Sequence, residues 1–121
     1  GEVAHVPRRL RDFLVREAER DLRAAVERHT AVLGRRAASV TVRDTTSRWG
    51  SCSAAGRLNF SWRLILAPPF VLDYLAAHEV AHLQEMNHSV RFWRLTKQLC
   101  PRTDEAEAWL KRHGTILHRY G

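Results

Sequence analysis

The segment His78-Glu79-Val80-Ala81-His82 constrains this chain more than any other. Its flanks, Leu72, Leu75, Ala76, Ala77, Val80, Ala81 and Leu83, are apolar on almost every side. A helix that is apolar all round is expected to be buried. Residues four apart on a helix stand one above the other on the same face. His78 and His82 therefore present their rings to one point, with Glu79 beside them. Buried imidazoles and a buried carboxylate are costly without partners, and a metal ion held by both rings relieves that cost. The spacing is H-E-x-x-H, in which two histidines hold zinc and the glutamate activates a water. A solvated His/Glu surface would need polar flanks, which this segment lacks.

A catalytic zinc takes three protein ligands and leaves its fourth position open. His88 is the third candidate. A helix turns ~100° per residue, so on an unbroken helix His88 would point roughly 120° away from His82. The spacing therefore predicts a helix end between Leu83 and Asn87, with Asn87 as a left-handed stop. Ser89 would cap a new helix continued by Val90, Phe92, Trp93 and Leu95, swinging His88 back over the metal. Glu85, three residues after His82, is a rival third ligand, its other reading being a carboxylate behind the ligands or a surface charge. Metzincins share this histidine spacing but carry glycine where Glu85 stands, and with Met86 as the sole methionine no Met-turn follows.

Hydrophobic periodicity organises the rest. Pro7 opens a helix to about Leu33, with Leu10, Phe13, Leu14, Ala18, Leu22, Ala25, Val26, His29, Val32 and Leu33 at three- and four-residue steps and Gly34 as its stop. His29 reads as a packed core histidine. Ser39 to Asp44 and Arg57 to Trp62 alternate as strands around the turn Ala54-Ala55-Gly56, which predicts an antiparallel meander. Thr45 to Ser53 reads as irregular. The outward face of the Arg57–Trp62 strand is a candidate to pair with an extended peptide. Pro68-Pro69 precede the metal helix, Pro101 stops the third helix, and Thr103 caps a fourth that breaks near Gly114. The expected architecture is α+β: a small antiparallel sheet, a long N-terminal helix, the H-E-x-x-H helix and C-terminal helices. The 121 residues suit one domain, 1–121, and the opening residues are compatible with the C-terminal part of a longer protein.

Composition narrows the function classes. Hydrophobic content of 45% and charged content of 27% fit a globular protein. No apolar run approaches the ~20 residues of a membrane span, so no membrane partner is expected. Cys52 and Cys100 make no disulfide framework and suit a cytoplasmic protein with reduced thiols. The net charge is +7, and only Lys97 and Lys111 among the 20 basic residues are not arginine. That excess admits a nucleotide or nucleic acid as partner. The arginines of residues 8–36, however, interleave with Asp12, Glu17, Glu19, Asp21 and Glu27, as a solvated helix face would have them.

Several further marks accompany the motif: Arg48-Trp49-Gly50-Ser51-Cys52, Gly56-Arg57-Leu58-Asn59-Phe60, Trp62-Arg63-Leu64, Ala67-Pro68, Tyr74, Asn87-His88-Ser89 and Phe92-Trp93. Taken together, the stretch from about Val40 to Gly121 resembles the YgjP-like metallopeptidases, relatives of the SprT-like zinc proteases. The resemblance implies a zincin fold, His78, His82 and His88 as ligands of one Zn2+ ion, and Glu79 as catalytic base. The N-terminal strands usual in that family have no counterpart in this sequence.

The expected function is zinc-dependent hydrolysis of a peptide or protein substrate, with zinc-activated water and Glu79 as general base. An oxyanion also needs a donor besides the metal. Arg48, Asn59, Arg63 and Tyr74 are the candidates. Two alternatives stay open: a metal-dependent nucleotide (phosphoanhydride) hydrolase, and a nucleic-acid-binding module with a structural zinc. A structural zinc would need a fourth protein ligand, for which only Glu85 or Cys52 is at hand.

Overall fold

The computed structural model describes residues 6–45 and 47–118. Helix α1 (Arg8–Leu33) starts after Pro7 and ends at Gly34, whose φ of 75° lets its N–H reach the Thr30 carbonyl at 2.8 Å. Its buried stripe is Ala18, Leu22, Ala25, Val26 and His29, the spacing of one helix face. Leu10, Phe13 and Val32, expected on that stripe, are exposed. They lie near the two ends of a helix longer than the core it covers.

Strands β1 (Ser39–Arg43), β2 (Gly50–Cys52) and β3 (Arg57–Ser61) form a sheet in the order β1-β3-β2. The expected antiparallel sheet is in fact mixed. β2 and β3 are an antiparallel hairpin turned at Gly56, with φ of 81°, whereas β1 runs parallel to β3. The chain leaves β1, crosses to the far side and returns through β2, a strand hidden in the segment expected to be irregular. Three residues, Gly-Ser-Cys, are too few to show alternation. β3 is thus central and paired on both sides, so it cannot take up a peptide. The open edge on the hairpin side belongs to β2.

Leu58 and Phe60 point inward from β3, and the strand passes into a 3-10 helix (Trp62–Leu66) capped by the Ser61 hydroxyl. Pro68 and Pro69 then start α2 (Pro69–Ala81). α2 is buried on nearly all sides, against α1, β2, the 3-10 helix, α3 (Val90–Leu99) and α4 (Thr103–Leu117). The large fully buried side chains include Trp62, Phe60, Phe92 and Leu22, each contributing about 1.5–3 kcal/mol. At the start of α4, Thr103 lies inside the first turn and donates its hydroxyl to the Cys100 carbonyl at 2.7 Å, instead of capping the helix. α4 also continues through Gly114, which is buried because the Trp49 ring lies 3.4 Å from where a Cβ would stand.

Candidate metal centre

α2 ends at Ala81, slightly earlier than the spacing implied, and tight turns follow: Leu83 N–H to Val80 O at 2.9 Å and Gln84 N–H to Ala81 O at 3.1 Å. Among the described residues no non-glycine has a positive φ, so Asn87 is not the left-handed stop that was expected. The reversal is completed by Ser89, which caps α3 by accepting the Phe92 N–H at 3.2 Å. His88 is thereby carried back to the end of α2.

The outcome is a cluster of three imidazoles. One nitrogen each from His78, His82 and His88 lies within 4.8 Å of the others, and His82 Nε2 and His88 Nε2 are 3.2 Å apart. The opposite nitrogens are held from behind. Tyr74 Oη lies 2.9 Å from His78 Nδ1, and the Glu85 carbonyl lies 2.9 Å from His82 Nδ1. Such outer contacts orient metal-binding imidazoles. Phe92 stacks on the His82 ring at 4.3 Å, and Trp93 stacks on His88 at 5.8 Å. Burial, followed by the neighbouring His82 and His88, pushes His78 down to about 4, so it is neutral at physiological pH, as a ligand must be. The donor set, three imidazoles with one nitrogen each turned inward, fits a divalent transition metal such as zinc. Glu85 takes part through its backbone carbonyl, and its carboxylate is outside the cluster.

Glu79 is 4% exposed, and burial raises its carboxyl to about 7. A Cβ on Gly50 would meet Glu79 Oε2 at 3.0 Å and the Asn59 carbonyl at 3.2 Å. Glycine is what lets β2 lie directly against the glutamate. The cleft, about 290 Å3, is lined by Arg48, Gly50, Ser51, Cys52, Met86, Glu79 and the three histidines. Burial and then Glu79 push the Cys52 thiol up to about 11, and among the described residues its sulfur is not one of the atoms gathered with the three imidazoles.

The four oxyanion candidates separate. Arg48 lines the cleft. Tyr74 is 2% exposed and touches His78 from behind, with its hydroxyl pushed far up by burial and then by the Glu107 carboxylate. Arg63 is buried away from the cluster, with Nη1 donating to Asp44 Oδ1 at 2.7 Å and to the Thr45 carbonyl at 3.0 Å. Asn59 is on the outward face of β3 and accepts from Arg43 Nε at 2.8 Å. Sequence reasoning overlooked Gly50 as the contact to Glu79, and Phe92 and Trp93 as supports of the rings. The position of Phe92, four residues after His88 on a new helix, was the available signal for the last of these.

The chain matches the YgjP-like, metallopeptidase domain family over residues 1–113. The match takes in α1, beyond the region from Val40 onward that carries the motifs. A solved structure, the metallopeptidase zymogen of Pyrococcus abyssi abylysin, is similar with a TM-score of 0.66 and 21% identity, over 75% of this chain and 93% of that one. At that identity the likeness is one of fold. None of the curated proteins matches. Among the described residues no helix is long and apolar enough to cross a membrane. With an H-E-x-x-H helix, a gathered histidine cluster and a family match across most of its length, this chain belongs to the YgjP-like metallopeptidases and is a hydrolase.

Proposed function

We propose that the chain hydrolyses peptide bonds with one zinc ion held by His78, His82 and His88, and with Glu79 as general base. The observation that carries this reading is the convergence of three imidazoles beside a buried carboxylate, in a cleft bordered by an open strand edge. When bound there, zinc supplies Lewis acidity that lowers the pKa of a water toward ~7 and polarises the substrate carbonyl. Glu79 takes the proton of the attacking water and returns it to the leaving amine. Packing against Gly50 holds the carboxylate in place and keeps bulk water away. Tyr74 and the Glu85 carbonyl keep the His78 and His82 rings turned inward. The free edge of β2 offers backbone groups to an extended peptide, and Arg48, two residues before β2 and lining the cleft, is the candidate to meet developing oxyanion charge.

Two observations favour this over the alternatives. Among the described residues the cluster holds three ligating groups and no fourth, the pattern of a catalytic rather than a structural zinc. A phosphoanhydride hydrolase needs several cations in the cleft, and among the described residues Arg48 is the one arginine lining it. The test combines metal analysis with hydrolysis of an unstructured protein and of ATP. His78→Ala should lose the ion. Glu79→Gln should keep it while turnover falls by about 10²–10⁴. Full peptide hydrolysis by Glu79→Gln would rule the mechanism out, and zinc-dependent hydrolysis of ATP alone would replace the peptidase reading.

A further inference from the structure

A second cavity, about 220 Å3, adjoins the metal cleft and shares Arg48, Gly50 and Ser51 with it. Its remaining walls are Arg43, Thr45, Asn59 and Phe60. The register explains why these meet. Thr41 pairs with Asn59 and Ser51 pairs with Asn59, so Asn59 and Ser51 share the outward face of the sheet, and Arg43, two residues after Thr41, joins them. Arg43 lies across that face with its Nε on Asn59 Oδ1 at 2.8 Å. A neutral amide oxygen thus uses one guanidinium donor and leaves the Nη groups of the fork. Neither Arg43 nor Arg48 has a carboxylate partner among the described residues. The neighbouring acid, Asp44, is engaged by Arg63 and Arg11. Among the described residues this pocket therefore gathers two cations and neutral hydrogen-bonding groups with no carboxylate in its lining, and it borders the cleft.

We propose that this pocket binds a carboxylate of the substrate, so that the preferred peptides carry Asp or Glu beside the scissile bond or end there in a free carboxyl group. The proposal rests on the peptidase reading. A peptide extended along the free edge of β2 alternates its side chains between the two sheet faces. Those turned outward pass Ser51 toward the two guanidinium groups. Arginine suits the role because its planar fork matches a carboxylate with two donors. The net charge of +7 adds a long-range attraction for acidic substrates.

The test uses the zinc-loaded protein and peptides that differ only in Glu, Gln or Lys at each position around one cleavable bond, each as free acid and as C-terminal amide. kcat/KM should favour Glu over Gln by about tenfold, the worth of one charge-assisted contact. The preference should shrink as salt rises from about 0.05 M to about 0.5 M. Arg43→Gln with Arg48→Gln should bring the Glu/Gln ratio toward one, with zinc content and circular dichroism reporting that the fold is intact. If the preference follows the free acid and not the Glu side chain, the carboxylate bound is the chain terminus. Equal cleavage of Glu and Gln peptides with no preference for the free acid over the amide, or a preference that survives the double substitution, would overturn the proposal. Binding of the same peptides to zinc-loaded Glu79→Gln, read by fluorescence anisotropy, separates the two claims. Glu-selective binding lost in the double variant, without cleavage by the parent protein, would uphold the pocket and defeat the peptidase reading. Charge-blind binding would sink the pocket itself.

Discussion

Glu79 is set where water barely reaches it, and that burial has a thermodynamic consequence apart from any reaction. Its carboxyl lies near 4.5 in an unfolded chain and is raised to about 7 by burial in the fold. The folded protein without metal therefore holds this proton more tightly than the unfolded chain does. Stability is then lost as pH rises through that window. Glu79→Gln cannot ionise. In chelator it should be more stable than the parent by about 3 kcal/mol near pH 8, a gap that closes toward pH 4. Urea unfolding at the two pH values measures it. Curves that coincide at the higher pH would mean that the carboxylate finds solvent in the fold. His78 is displaced the other way, down to about 4 by burial and by His82 and His88, so it supports stability as pH rises from 4 toward 6.5. Comparison with the Glu79 variant isolates one group from the other.

Between α2 and α3 the chain must reverse within a few residues and deliver His88 to the Nε2 side of His82. Local hydrogen bonds do most of this: the tight turns after Ala81, the Glu85 carbonyl on His82, and the Ser89 cap on Phe92. Ser89 thus sets the start of α3 and, one residue away, the approach of His88. Ser89→Ala should cost about 1 kcal/mol of stability and weaken zinc binding several-fold, as measured by competition with a chromogenic chelator. Loss of stability with unchanged affinity would show that the Trp93 stack on His88, not the cap, controls the ring. At this scale the three-residue strand β2 is the other decisive element, since it puts Gly50 against Glu79 and leaves its outer edge open.

Across the whole molecule, Asp44 joins the layers. It accepts from Arg63 Nη1 at 2.7 Å and Trp62 Nε1 at 3.3 Å, and it pairs with Arg11 on α1. Burial alone would raise its carboxyl, but the hydrogen bond and charge of Arg63 outweigh this, helped by Trp62 and Arg11, and hold it below the usual carboxylate range. A depressed acid stabilises the fold above its unfolded pKa, and the gain is lost as pH falls through the folded value. The carboxylate is 42% exposed, so solvent screens the pair. Asp44→Asn should cost only about 1 kcal/mol at neutral pH, with the difference from the parent fading in strong acid. Thermal unfolding at both pH values checks it, and equal melting temperatures at neutral pH would mean that Asp44 is no joint. Legibility in the sequence followed the range of the interaction. The α2 histidines, the reversal that brings back His88, Ser89 as cap and Gly34 as stop were all readable, because helix geometry relates residues a few positions apart wherever the helix lies. The parallel pairing of β1 with β3, the short strand β2, the exposure of Leu10 and Phe13, and the meeting of Arg43 with Arg48 were not. Each depends on which distant segments lie side by side, and that is settled by burial of the shared core around α2, where no single stretch of sequence carries the choice.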